Sequence, residues 1–179
     1  MRKLKNEELD RLSVEEFKES PKAGLVLVLD QVRSLNNVGS FFRTADAFLI
    51  DKIILCGITA KPPHKDIHKT ALGATETVQW EYEEKTLDAV EKLQQEGVEV
   101  WAVEQAEGSS ALQDIDVNPQ KNYALVFGHE VKGVSQEVVS QCDGVAEIPQ
   151  FGTKHSLNVS VSAGIAIWEF VRKKRFAQQ

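Results

Sequence analysis

Three stretches of the chain gather residue types that could do chemistry. The first is Asn36-Asn37-Val38-Gly39-Ser40-Phe41-Phe42-Arg43-Thr44-Ala45. The second is Phe127-Gly128-His129-Glu130-Val131-Lys132-Gly133-Val134-Ser135. The third runs from Ile148-Pro149 through Phe151, Gly152, Lys154 and His155 to Ser156-Leu157-Asn158-Val159-Ser160. Each follows a candidate strand, and each is rich in Gly, Asn and Ser, as ligand sites beyond the carboxyl ends of parallel strands are. The familiar nucleotide signatures fail. Gly128 and Gly133 have P-loop glycine spacing, but Val134 stands where the phosphate-binding lysine belongs. No Gly-x-Gly-x-x-Gly follows a strand, and no Gly-x-Ser-x-Gly elbow occurs. A small-molecule enzyme built on phosphate loops is therefore disfavoured. His64 and His68 are four apart without a third ligand nearby, so the stretch after Pro62-Pro63 reads as a basic surface loop and no metal is expected.

The elements that must position these stretches alternate. Gly24-Leu25-Val26-Leu27-Val28-Leu29-Asp30 is a continuous apolar run of buried parallel-strand type. Further strands are expected at Lys52–Cys56, Val98–Val103 and Tyr123–Phe127, with shorter ones at Val78–Tyr82 and Val145–Ile148. Helical spacing appears at Phe41, Phe42, Ala45 and Phe48 after Gly39, at Leu87, Val90 and Leu93 before Gly97, and from Asn158 through Val171. Residues 6–20 read as a short helical lead-in, with capping-box spacing from Ser13 to Glu16 and an end at Pro21. The pattern predicts one α/β domain with a mostly parallel sheet flanked by helices, residues 22–179, preceded by an extension over 1–21.

Composition bounds the rest. The 179 residues, 42% hydrophobic, suffice for one core, and no run reaches the length of a membrane span. Cys56 and Cys142 lie far apart, so neither a disulfide framework nor a zinc ribbon is expected, and the cytoplasm is the expected location. The net charge of −6 argues against a nonspecific nucleic-acid coat. Any RNA contact must use a local patch, such as Lys61, Lys65 and Lys69 or the Arg172–Arg175 cluster, while the acids of 81–99 face away.

Taken together, the three stretches resemble the motifs of the SpoU (TrmH-like) family of SPOUT-class RNA methyltransferases. The first motif matches at Asn37, Gly39, Arg43, Thr44 and Ala45; the second at Gly128, Glu130, Gly133, Val134 and Ser135; the third at Ile148, Pro149, Ser156, Leu157, Asn158, Val159 and Ser160. The resemblance covers about residues 22–172. Some members carry a glycine where this chain has Val131. It implies a C-terminal deep trefoil knot, a homodimer, S-adenosylmethionine as cofactor and methylation of a ribose 2′-hydroxyl in RNA. Transfer RNA is the favoured substrate, since the chain shows no separate RNA-binding domain, with ribosomal RNA or a non-catalytic RNA-binding role as alternatives.

The resemblance also assigns residues. Val103, Gly128, Ile148 and Leu157 would hold the cofactor, the aliphatic ones walling a slot for adenine. Arg43, Glu130, Ser156 and Asn158 form the expected catalytic set, with Glu130 orienting Arg43 or Asn158. Arg43 follows what reads as a Gly- and Asn-rich turn; it would bind a phosphate and lower the hydroxyl's pKa, although a role as the base itself stays open. Asn37, Lys61, Lys65 and Lys69 would contact RNA. His129, His155 and Lys154 receive no role.

Overall fold

The run Leu25-Val26-Leu27-Val28-Leu29-Asp30 forms β1 (Leu25–Asp30), and every residue of it is buried in the computed structural model. Alternation sends Leu25, Leu27 and Leu29 into one core and Val26 and Val28 into another, so the sheet is covered on both faces. Each such side chain contributes about 1.5–3 kcal/mol by leaving water. The structure describes residues 1–176, so the last three positions of the expected 22–179 domain lie outside the described residues.

After β1 come α2 (Leu35–Ala47), β2 (Lys52–Cys56), α3 (Lys65–Ala71), α4 (Ala74–Thr77) and β3 (Gln79–Glu83). Then follow α5 (Thr86–Gln95), β4 (Glu99–Val103), β5 (Ser110–Ala111), β6 (Tyr123–Phe127), α6 (Gln136–Gln141), β7 (Gly144–Glu147) and α7 (Val159–Phe176). The seven strands pair in the order β3-β2-β1-β6-β4-β7-β5, and every pair is parallel. Helices α2, α3, α4 and α7 cover the face bearing Phe41, Phe42, Ile67 and Phe170, whereas α5 and α6 cover the face bearing Val90, Leu93 and Val138. The expected α/β architecture is present. Two late strands, β6 and β7, enter gaps between strands already laid down. Since Leu29 lies opposite Phe127, and Val103 opposite Ala146, the chain leaves β1, β4, β6 and β7 along one edge.

The lead-in contains α1 (Val14–Glu19), opened by the Ser13–Glu16 capping box, with Phe17 buried in the core. Other expectations are corrected. The first motif is helix, not turn: Ser34 caps α2, so Asn37 and Gly39 lie within it. Gly39 is tolerated there because a Cβ would overlap Thr70 Oγ1 and the Ile67 carbonyl of α3; the glycine lets two helices touch. Residues 65–71 are likewise helical rather than loop, with His64 Nδ1 accepting from the Asp66 N–H as a cap. Strand β5 lacks an apolar run and was not expected.

Candidate functional site

The exits of β4, β6 and β7 enclose an open cleft of about 220 Å³. Val103, Gly128, Ile148 and Leu157 all line it, together with Glu130 and Ser156. Six expected site residues from three separate elements thus meet at one place.

The loop after β6 is held from every side. His129 and Gly133 exchange backbone hydrogen bonds of 3.1 and 2.8 Å, closing a tight turn, and Gly133 takes φ +69°. His129 Nδ1 accepts from the Val131 N–H at 3.0 Å, which gives that histidine a local structural task. Gly128 has no positive φ; its need is space, since a Cβ would overlap the backbone of Gly133 and Val134. Two acids brace the loop further. Glu104 accepts from the Val134 N–H at 2.9 Å, and Asp30, only 2% exposed, accepts from the Ser135 N–H at 2.8 Å and from Thr86 Oγ1 at 2.6 Å. Sequence reasoning missed both. Their signal was an acid directly at a strand exit, after Leu29 and after Val103.

Glu130 joins the three motifs. Its carboxylate accepts from the N–H groups of Arg33 and Ser34 and from Asn37 Nδ2 at 2.9 Å. Asn37 Oδ1 accepts from Asn158 Nδ2 at 3.2 Å, and Asn158 Oδ1 caps α7 by accepting from the Ser160 and Val161 N–H groups. The direction is dictated by chemistry: a carboxylate only accepts, so each amide in turn must present its nitrogen backwards and its oxygen forwards. Burial pushes the Glu130 carboxyl up, but the Asn37 amide and the surrounding N–H groups outweigh it and hold the group below its ordinary value. Glu130 therefore reaches Asn158 through Asn37 and makes no bond to Arg43. Asn37, expected to touch RNA, is 9% exposed with both ends of its amide engaged; it acts inside the protein.

Arg43 is exposed and stands outside the cleft lining. Six residues along a helix are about 240° of turn, so a buried Asn37 sends Arg43 outward. Among the described residues it has no ion-pair partner within 4 Å, unlike Arg172, which pairs with Glu169 at 2.7 Å. The Arg172–Arg175 cluster is partly spent on the fold: Lys173 donates to the carbonyls of Gln113 and Ile115, and Lys174 to that of Lys121. Lys61, Lys65 and Lys69 are exposed and separate from the cleft. Beyond it, α7 exposes an apolar stripe, Val161, Ile165 and Trp168, at 51%, 40% and 47%. No described helix is long and apolar enough to cross a membrane, and no three described His, Cys, Asp or Glu residues cluster as metal ligands.

Comparison with known proteins accords with this geometry. Residues 24–168 match the sequence profile of the SpoU rRNA Methylase family. The 23S rRNA (guanosine-2′-O-)-methyltransferase RlmB of Coxiella burnetii is 34% identical over 164 residues, covering 91% of this chain and 63% of the relative. The chain spans about three-fifths of the length of such curated relatives. Among solved structures, an AdoMet-bound rRNA methyltransferase from Sinorhizobium meliloti is 30% identical with a TM-score of 0.80, covering 87% of this chain and 58% of that one. The A. aeolicus TrmH/SpoU tRNA modifying enzyme is 25% identical with a TM-score of 0.81, covering 92% and 82%.

Proposed function

Because this chain belongs to the SpoU rRNA Methylase family, we propose that it transfers a methyl group from S-adenosylmethionine to a ribose 2′-hydroxyl of ribosomal RNA. The observation that carries the reading is the meeting of Val103, Gly128, Ile148 and Leu157 in one cleft, with the Glu130–Asn37–Asn158 chain tying the three motifs together. The residues present fit the cofactor. Val103, Ile148 and Leu157 offer an aliphatic slot for a flat, largely apolar base, and Leu157 is 38% exposed with that surface open to a ligand. The Glu104 carboxylate on the cleft suits a ligand with cationic groups. When bound, S-adenosylmethionine supplies a methyl group already activated on a sulfonium sulfur.

The protein's own task is to seat the hydroxyl and favour loss of its proton. A guanidinium, with a pKa above about 12, is a poor base. Arg43 instead binds the neighbouring phosphate and stabilises the developing alkoxide electrostatically. Ser156 and Asn158 stand at the substrate side, and Glu130 is a positioning residue acting through Asn37. Since Arg43 lies outside its own cleft, the reading is a homodimer in which one subunit's Arg43 serves the other's cleft. The exposed stripe Val161, Ile165 and Trp168 supports such an interface, and Phe48, which caps the end of α2, packs against Trp168, 5.9 Å between ring centroids. Residues 22–179 form the methyltransferase domain behind the 1–21 extension. Its C-terminal part is threaded as the family's knot, a reading supported by the late insertion of β6 and β7. The site of action is the cytoplasm.

The ribosomal reading takes precedence over the transfer-RNA one expected from sequence because the Coxiella relative and the Sinorhizobium structure both carry that name. Transfer RNA remains the second reading, favoured by the A. aeolicus enzyme, whose chain is matched over 82% of its length. Incubation with methyl-labelled S-adenosylmethionine and each RNA, followed by nucleoside mapping, tests the proposal. The expected product is a 2′-O-methyl nucleoside in ribosomal RNA. Label in transfer RNA alone would move the substrate to the second reading. Base methylation, or RNA binding without transfer, would sink the activity.

A further inference from the structure

A second cleft, of about 520 Å³, lies at the β3 edge of the sheet, away from the motif loops. Trp80 forms one side, with Pro62, Pro63, Ile67 and His68 around it. Trp80 and Tyr82 occupy alternate positions on β3 and so share one face, about 6.6 Å apart along the strand. Both are more than a third exposed, at 36% and 38%, which is unusual for large rings beside an available core. Lys61 Nζ lies 3.9 Å from the Tyr82 ring centroid, and Lys65 stands at the cleft's rim.

The two faces of β3 carry opposite chemistry. Glu81 and Glu83 point the other way, where Lys52 lies 2.8 Å from Glu81 and Lys92 3.9 and 3.8 Å from Glu81 and Glu83. The acids of this strand are thereby neutralised away from the aromatic face. That face pairs flat apolar rings with lysines, the combination that binds single-stranded nucleic acid: bases stack on the rings while phosphates meet the cations. Two acids are present as well. Asp66 lies 4.0 Å from His64 Nδ1, and Glu76 lines the cleft. Glu76 can only accept hydrogen bonds, so it suits a base that offers an amino group and repels a phosphate placed deep in the cleft.

We propose that this cleft is a second RNA site, in which one unpaired nucleobase stacks on Trp80 while Lys61 and Lys65 take the flanking phosphates. The inference rests on the reading of this protein as an RNA-modifying enzyme and adds a requirement to it: the substrate must carry an unpaired nucleotide apart from the one methylated. A duplex cannot fill the cleft, because its bases are already stacked and their edges paired.

The test compares a fluorescein-labelled single-stranded 12-nucleotide RNA with a blunt, fully paired 12-base-pair RNA duplex, by anisotropy, on wild type, Trp80→Ala and Trp80→Phe. Trp80→Ala should weaken single-strand binding about 5- to 160-fold, the range of base–aromatic stacking, and leave duplex binding and S-adenosylmethionine affinity unchanged. Trp80→Phe should keep most of the affinity. Ultraviolet crosslinking of the wild type to a 4-thiouridine oligonucleotide should place adducts at Trp80 or His68, a readout independent of how the variants fold. Wild-type single-strand affinity in Trp80→Ala, or adducts only elsewhere, overturns the site while the methyltransferase reading stands. Failure of the wild type to bind any RNA overturns both. A change from dimer to monomer in Trp80→Ala overturns the site in favour of an interface between copies.

Discussion

The two loops that wall the motif cleft are built in opposite ways. Residues 128–135 are pinned: their N–H groups go to His129, Glu104, Asp30 and one another, and Glu130 anchors them to α2. Residues 151–158 are all exposed, and the N–H groups of 150–157 make no turn or loop bond among the described residues. Yet both loops carry motif residues and both line the cleft. The difference teaches that one wall is held by the protein's own hydrogen bonds, whereas the other has backbone donors left over for a ligand. On the proposed function, the held wall would fix where the cofactor lies, and the unbonded wall would offer its N–H groups to cofactor or substrate.

Perturbing each wall should therefore give unequal results. The largest effect belongs to neither wall: Arg43→Ala should lower methyl transfer by ~10²–10³ with fold and cofactor affinity retained. Arg43→Lys should fail as well, because a point charge does not reproduce the guanidinium fork. Near-normal turnover in either variant would reject the role.

A pair of glycines sharpens the contrast. Gly128→Leu drives a side chain into the Gly133–Val134 backbone, so it should cost about 1–3 kcal/mol of stability and remove cofactor binding in calorimetry. Gly152→Ala meets nothing within 4 Å and should change stability by less than about 0.5 kcal/mol. Equal responses would erase the distinction between the walls.

Next comes the amide chain. Asn37→Ala leaves Glu130 and Asn158 each short of a partner and should cost about 1–3 kcal/mol in urea unfolding. Ser156→Ala, on the exposed wall, should cost almost nothing while impairing turnover. The smallest effect is in acid. Glu130's carboxyl is held below its ordinary value, so its contribution is full above the unfolded pKa and is lost as pH falls through the lower folded value. Glu130→Gln should melt lower than wild type at pH 7, and the gap should narrow below about pH 4, under the unfolded carboxyl's value. A gap that stayed constant with pH would show that charge is not what Glu130 contributes.

Much of this was legible from residues alone, for identifiable reasons. Burial on both faces makes a strand a continuous apolar run, so β1, β2 and β6 could be read directly. The cleft residues Val103, Gly128, Ile148 and Leu157 came from motif resemblance, and the fold does bring them together. What stayed hidden depends on tertiary contact. Asn36, Asn37 and Gly39 are weak helix formers, and only packing of α2 on α3 makes them helical. That misreading carried a consequence, since a turn could have aimed Asn37 and Arg43 at one ligand and a helix cannot. Asp30 and Glu104 carry no motif; their value lies in N–H groups 105 and 30 residues away in sequence.

Hydrogen exchange with and without S-adenosylmethionine tests the paired walls and the cofactor site in one measurement. Amides of 150–157 should exchange fast in the free protein and gain clear protection on binding, while those of 129–135 are already protected and change little. No gain over 150–157 with the cofactor at saturating concentration, or protection confined to a region outside both loops, would contradict the account.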